Sequence, residues 1–248
     1  MISKARIKFI KSLQVKKYRK EAQSFIVEGA KSVEELLKSD FELLNLFATN
    51  EFIGRNESQL KKRSAEIQEV EESELDSVGA FQTNTSALAI ARMKKNIAPG
   101  VGTDEYVLVL DDVRDPGNLG TIIRTADWYG ITRIIASEET ADFYNPKVIS
   151  ATMGSFCRVN VFYTSLNEFL ATVTIPVYGT FLDGQNIHTL SFANGGLIVI
   201  GNEARGISEE IEKFVTQKIT IPSFGKAESL NAGVATAIVL DNLRRSKK

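Results

Sequence analysis

The chain of 248 residues is 43% hydrophobic and 25% charged, the proportions of a soluble globular protein with ample material for a core. Cys157 is the only cysteine and His188 the only histidine, which excludes an intrachain disulfide, a cysteine-rich zinc site and a serine or cysteine triad with a histidine to spare; both residues are read as structural and no metal is expected. A net charge of -1 conceals an asymmetry, because the first twenty residues carry Lys4, Arg6, Lys8, Lys11, Lys16, Lys17, Arg19 and Lys20 and no acid.

That same start, "MISKARIKFIKSLQVKKYRK", lacks the unbroken apolar core of a signal peptide, and no later segment approaches bilayer-spanning length. A cytoplasmic protein with no membrane contact is expected. The basic arm reads equally well as an electrostatic footprint for nucleic acid and as a solvated helix face.

The spacing predicts a helix over residues 3–19, with Ile7, Ile10 and Leu13 facing inward and Lys4, Lys8 and Lys11 sharing another face. Short units follow: strand "SFIVEG", helix "AKSVEELLKS", "FELLNLFAT" as mostly strand, strand "EIQEV", and helix "EESELDSVG" with acids in its first turn, where the helix dipole favours them. They form a small α/β domain over residues 1–95. "KKNIAPGVGTDE", charged and aperiodic, marks a linker near residues 96–105.

From residue 106 to 248 the alternation resumes on a larger scale: strand "YVLVLDD", a helix over about 118–129, strands "RIIAS" and "RVNVFY", helix "SLNEFLAT", strands "PVYGTFL" and "GLIVIG", helix "ISEEIEKFV", strand "KITIP" and a long last helix. Short β-branched runs separated by helices imply an α/β domain with a mainly parallel sheet covered on both faces.

Three glycine-bearing turns follow strands. In "DPGNLGTIIRTADWYG", Asn118 is placed to cap a helix, and Arg124 stands in its first two turns, where the dipole offers a cation nothing. Arg124 either pairs with Asp127 three residues on, a weak surface contact, or reaches a phosphate or developing oxyanion. In "GLIVIGNEARGIS", Gly201 permits close approach to the backbone, Ser208 starts a helix, and Glu203 has no purely structural explanation. In "ITIPSFGKAESLNAGVATAIVLDNL", Ser229 is placed to cap the last helix, whose Leu230, Val234 and Ile238 recur every four residues. The small residues Ala232, Gly233, Ala235 and Ala237 suit that helix to lie flush against its own loop or a second subunit. None of these turns has the glycine spacing of a dinucleotide loop or a P-loop.

Taken together the three segments resemble the SpoU (TrmH-like) branch of the SPOUT RNA methyltransferases. Asn118, Gly120 and Arg124 match that family's first motif; Gly201, Asn202, Glu203 and Gly206 match its second; Ile221, Pro222, Gly225, Ser229, Leu230 and Asn231 match its third. "NPKVISATMGSFCRV" resembles the segment between the first two motifs, and "RKEAQSFIVEGAKSVEELL" the small substrate-binding domain of many members. The chain departs from the family pattern at Ala232-Gly233, where the family often has Val-Ser, and at Ser150, where an arginine is common.

The resemblance implies a deep C-terminal trefoil knot, a homodimer, and transfer of a methyl group from S-adenosylmethionine to a ribose 2'-hydroxyl of RNA. Ribosomal RNA is the expected substrate, transfer RNA the alternative, and a non-catalytic RNA-binding protein that keeps the fold the competing class. The implied cofactor residues are Thr180, Gly201, Ile221, Leu230 and Asn231. The implied catalytic set is Arg124, Asn118, Glu203, Ser229 and Asn231, with Glu203 orienting Arg124 or Asn118. Lys8, Lys11, Lys16, Lys17 and Arg19 are the expected RNA contacts of the basic arm.

Overall fold

The computed structural model describes residues 1–80 and 86–245. The chain divides into two compact units, Met1–Lys95 with Asp142–Cys157, and Asn96–Ala141 with Arg158–Lys248.

The first unit begins with α1 (Lys4–Ser12) and α2 (Lys16–Ala22), then β1 (Ser24–Glu28), α3 (Ala30–Lys38), β2 (Leu43–Ala48), α4 (Asn50–Arg55), α5 (Glu57–Leu60), β3 (Glu66–Glu69), α6 (Glu72–Val78) and β4 (Ala87–Arg92). Its sheet runs β1-β4-β2-β3, with β4 antiparallel to both neighbours and β2 parallel to β3. β4 is a central strand that the sequence reading did not name. Its "ALAIA" run is buried throughout and alanine-rich, with Ile90 its only β-branched residue, so it carries neither alternation nor strand propensity. Ile10, Leu13, Ile26, Phe47, Leu75 and Leu88 are the centre of the core.

The expected helix over residues 3–19 is two helices, and the reason is Arg19. Its guanidinium donates to the freed carbonyls of Leu13 and Gln14 at the end of α1, at 2.8 and 2.9 Å, and to the Asp142 carboxylate at 2.6 Å. Arg19 is only 1% exposed. It therefore leaves the set of expected RNA contacts: a guanidinium committed to two carbonyls and a carboxylate is a structural pin. Lys8, Lys11, Lys16 and Lys17 are all exposed. Arg63, which follows Lys61 and Lys62, is likewise structural, donating to the carbonyls of Leu37 and Phe41 at 2.6 and 2.9 Å, in the last turn of α3 and just past its end.

The second unit starts with β5 (Tyr106–Leu110), α7 (Pro116–Trp128) and β6 (Arg133–Ala136); α8 (Pro146–Ala151), which follows in the chain, packs with the first unit. Then come β7 (Asn160–Tyr163), α9 (Leu166–Leu170), β8 (Val177–Asn186), β9 (Gly196–Ile200), α10 (Glu209–Glu212), β10 (Gln217–Thr220) and α11 (Ala232–Arg245). The six strands lie in the order β10-β8-β9-β5-β6-β7 and every pairing is parallel. The expected parallel α/β sheet is thus present. β5 and β9 are buried along their whole length, as a strand covered on both faces must be. Between β8 and β10 the register jumps, with Lys218 opposite Gly179 and Ile219 opposite Gln185, so residues 180–184 leave the ladder. Thr180 sits at that departure.

Removing one partner of a buried ion pair leaves the other charge stranded, at a cost of about 3–5 kcal/mol. Arg19→Ala is expected to lower stability by that order, whereas Lys16→Ala shifts it by less than about 0.5 kcal/mol. Urea denaturation followed by circular dichroism reads both, and equal effects of the two substitutions would contradict the assignment of Arg19.

Candidate active site

The carboxyl ends of β5 and β9 and the start of α11 carry the three motif loops. The first loop opens α7 two residues earlier than expected. Asp115, not Asn118, is the N-cap: its side chain accepts from the Asn118 amide N–H at 2.8 Å, and Pro116 takes the first helical position, where no N–H is needed. With the cap supplied by Asp115, the side chain of Asn118 is free for another task, and it is buried.

The second loop is closed on itself. Asn202 and Gly206 exchange backbone hydrogen bonds of 3.0 and 2.9 Å, and the Asn202 side-chain oxygen accepts from the N–H groups of Ala204 and Arg205. A Cβ on Gly201 would overlap the backbone of Gly206 and Ile207. The close approach that Gly201 permits is therefore that of its own loop. Gly206 completes the turn with φ +70°. This geometry puts Glu203 at the tip, facing the first loop.

The third loop ends later than expected. α11 begins at Ala232, and its cap is Asn231, whose side-chain oxygen accepts from the N–H groups of Gly233 at 2.9 Å and Val234 at 3.3 Å. Ser229 lies exposed two residues before it and does not cap the helix. Gly233 lets α11 lie on α7: a Cβ there would stand 2.8 Å from the Thr121 methyl. The departure from the family pattern at Gly233 thus has a packing reason. Leu230 and Val234 are half exposed, and the buried face of the helix is Gly233, Thr236, Leu240 and Leu243.

One chain of side-chain hydrogen bonds joins the three loops. Asn231 donates from Nδ2 to Asn118 Oδ1 at 2.6 Å, and Asn118 donates from Nδ2 to Glu203 Oε1 at 2.8 Å. Because the Asn231 oxygen is taken by the helix start, its amide has one orientation, and this fixes the orientation of Asn118 and aims the Glu203 carboxylate. Of the two partners open to Glu203 in the sequence, Asn118 is the one it binds.

Arg124 is exposed on α7, and no described residue pairs with it. Asp127, its expected weak partner, instead receives Arg158, with contacts of 2.8–3.1 Å. Arg124 thus presents a whole guanidinium to solvent. Among the expected cofactor residues, Thr180 donates from its hydroxyl to Val199 O at 3.0 Å, and Ile221 is half-buried just past β10. Thr180, Gly201 and Ile221 therefore lie on or just beyond β8, β9 and β10, three neighbours in the sheet. His188 hydrogen-bonds Asn242 on the surface and belongs to no such cluster. Among the described residues no group of three or more histidine, cysteine, aspartate or glutamate side chains is placed to hold a metal ion.

The linked-loop geometry makes two substitutions informative. Asn231→Ala removes a helix cap worth about 1 kcal/mol and leaves the Asn118 carbonyl without its donor. Gly201→Ala is expected to be the more damaging, because backbone rather than a flexible side chain must move. Thermal unfolding of the two variants should rank them in that order, and a Gly201→Ala protein as stable as the original would contradict the closed-loop geometry.

Both parts of the chain match known protein families. Residues 105–241 match the model of the SpoU rRNA Methylase family, and residues 4–89 match an MRM3-like substrate binding domain. The chain is 31% identical over 243 residues to the Bacillus subtilis 23S rRNA (guanosine(2553)-2'-O)-methyltransferase RlmP, covering 96% of each protein. Among solved structures, a Porphyromonas gingivalis protein assigned to the TrmH family of RNA methyltransferases is 37% identical with a TM-score of 0.86, covering 99% of each chain. An AdoMet-bound rRNA methyltransferase from Sinorhizobium meliloti is 30% identical with a TM-score of 0.87, covering 99% of this chain and 97% of that one. The chain belongs to the SpoU rRNA methylase family.

Proposed function

We propose that the protein is an S-adenosylmethionine-dependent methyltransferase that modifies a ribose 2'-hydroxyl of large-subunit ribosomal RNA. The observation that carries this reading is the Asn231–Asn118–Glu203 hydrogen-bond chain, which joins all three family motifs at the start of the helix that also carries the exposed Arg124. Similarity along both units to a full-length 23S rRNA enzyme favours ribosomal over transfer RNA. It also supports residues 1–95 as the RNA-binding domain, the trefoil knot at the C-terminal end, and action in the cytoplasm. No helix among the described residues is long and apolar enough to cross a membrane.

The residues at the ends of β8, β9 and β10 fit the cofactor. Ile221 and the half-exposed Leu230 offer an apolar wall to an adenine face, and the exposed residues 223–229 have backbone donors and acceptors to offer its edge. Thr180, Gly201 and Asn231 complete the set that would hold it. When bound, S-adenosylmethionine supplies a methyl group on a sulfonium, whose departure needs no protonation.

What remains for the protein is to position the ribose hydroxyl and raise its nucleophilicity. A guanidinium stays protonated in proteins, so Arg124 acts as a donor: it holds an RNA phosphate and stabilises the developing 2'-alkoxide, while the hydroxyl proton leaves to phosphate or water. Glu203 fixes Asn118, and Asn118 fixes the loop that opens α7. Ser229, exposed and outside the helix cap, is free to contact substrate or cofactor. Trp128, 84% exposed on α7, and the half-exposed Val234 on α11 give apolar surface for association with a second copy. The homodimer is therefore part of the proposal.

Arg124→Ala is expected to lower methyl transfer to unmodified large-subunit ribosomal RNA by at least about a hundredfold, the usual loss when an oxyanion-stabilising donor is removed. Calorimetric affinity for S-adenosylmethionine should stay unchanged; near-normal turnover would remove Arg124 from the mechanism. Replacing Lys8, Lys11, Lys16 and Lys17 together by glutamine should weaken RNA binding and flatten its dependence on salt. An unaltered salt dependence would assign the basic arm to solvent.

A further inference from the structure

Asp112 is the one residue at the end of β5 with a left-handed backbone, φ +60°, a conformation that non-glycine residues seldom adopt and that marks a position held by its surroundings. Its N–H donates to the Ser137 hydroxyl at 3.0 Å, and its carbonyl accepts from Asn202 Nδ2 at 2.7 Å. Both main-chain groups are thereby tied, one to β6 and one to the second motif loop. The carboxylate, largely buried, receives two arginines: Arg114 through Nε on Oδ1 at 2.5 Å, and Arg205 through Nη2 on Oδ2.

Stability does not account for this arrangement. The Arg114 and Arg205 side chains are 62% and 69% exposed, and ion pairs at that exposure contribute little. Each arginine uses one N–H on Asp112 and keeps the rest of its fork in solvent. In direct contact two cations meet one carboxylate, an excess of +1 within the cluster that one phosphodiester monoanion would neutralise, while Glu139 acts on Arg114 from longer range. The shared carboxylate also holds the two guanidinium groups together against their mutual repulsion, so their orientation is set before a ligand arrives. They flank the first and second motif loops, four residues before Asn118 and two after Glu203. The cleft next to Asp111 carries Glu138, Glu139 and Glu210 and disfavours a polyanion, leaving the arginine side as the approach.

We propose that Arg114 and Arg205, gathered by Asp112, form a clamp for one backbone phosphate of the RNA substrate, distinct from the phosphate or oxyanion contact of Arg124. The clamp rests on the reading of the protein as an RNA methyltransferase. Asp112 is its positioning residue and does not touch the ligand.

The test uses the full-length protein and unmodified large-subunit ribosomal RNA made by transcription. The double variant Arg114→Gln/Arg205→Gln should raise KM for RNA about tenfold or more while kcat stays within about twofold. The slope of log affinity against log salt should fall by about one. Calorimetric affinity for S-adenosylmethionine and the melting temperature should match the original protein. The double variant Arg114→Lys/Arg205→Lys should keep the salt slope and recover only part of the KM, since an ammonium lacks the fork. Unchanged KM and salt slope in the glutamine variant would overturn the clamp, as would a lysine variant no better than the glutamine one. The binding slope judges the clamp even if no methyl group is transferred, whereas absence of transfer by the original protein counts against the enzymatic reading alone.

Discussion

Asn118 cannot be turned over without breaking the site. Its Nδ2 must donate to Glu203 and its Oδ1 must accept from Asn231, so a flip of the amide would set donor against donor and acceptor against acceptor. Everything around it serves that constraint. Asp115 takes over the capping of α7, the helix start of α11 fixes the amide of Asn231, and the closed loop from Gly201 to Gly206 carries Glu203 to its partner. Three loops whose linked residues span 113 positions of the chain become one object, which is what a reaction needing in-line geometry requires.

The parallel sheet explains why these loops can meet. β9 and β5 are neighbours, so the turns at their carboxyl ends emerge side by side, and α11 packs on α7 through Gly233 and Thr121. Sequence distance is converted into proximity by strand order alone. The same logic brings the ends of β8, β9 and β10 together as the proposed cofactor wall. The polar chain runs through the loops and the first turn of α7, while β5 and β9 beneath are apolar and buried.

Much of this was legible in the sequence, and what was not has identifiable causes. The six strands of the second unit follow from short β-branched runs, and their parallel pairing from the helices between them. β4 escaped because its run is alanine-rich, with Ile90 its only β-branched residue, whereas the equally buried β5 and β9 are rich in valine and isoleucine. The split between α1 and α2 escaped because it is filled from a distance, by an arginine bound to Asp142 more than a hundred residues on, and local periodicity carries no trace of that contact. The same contact removes Arg19 from a basic arm that looked uniform as a string of charges. In the site, the residue types were readable but the capping assignments were not: an Asp-Pro before Asn118 and an Asn before Ala232 compete with the candidates first favoured, and geometry decides between them. The hub at Asp112 left no signal beyond its neighbouring charges, since a left-handed aspartate is indistinguishable from any other in a sequence.

The central claim is that the linked loops hold a ribose hydroxyl for methylation. It is tested most directly by incubating the purified protein with unmodified large-subunit ribosomal RNA and isotopically labelled S-adenosylmethionine, then digesting the RNA to nucleosides for mass spectrometry. The account predicts label in a single species of 2'-O-methylnucleoside. Label on a base, or no label in the RNA at all, would contradict it.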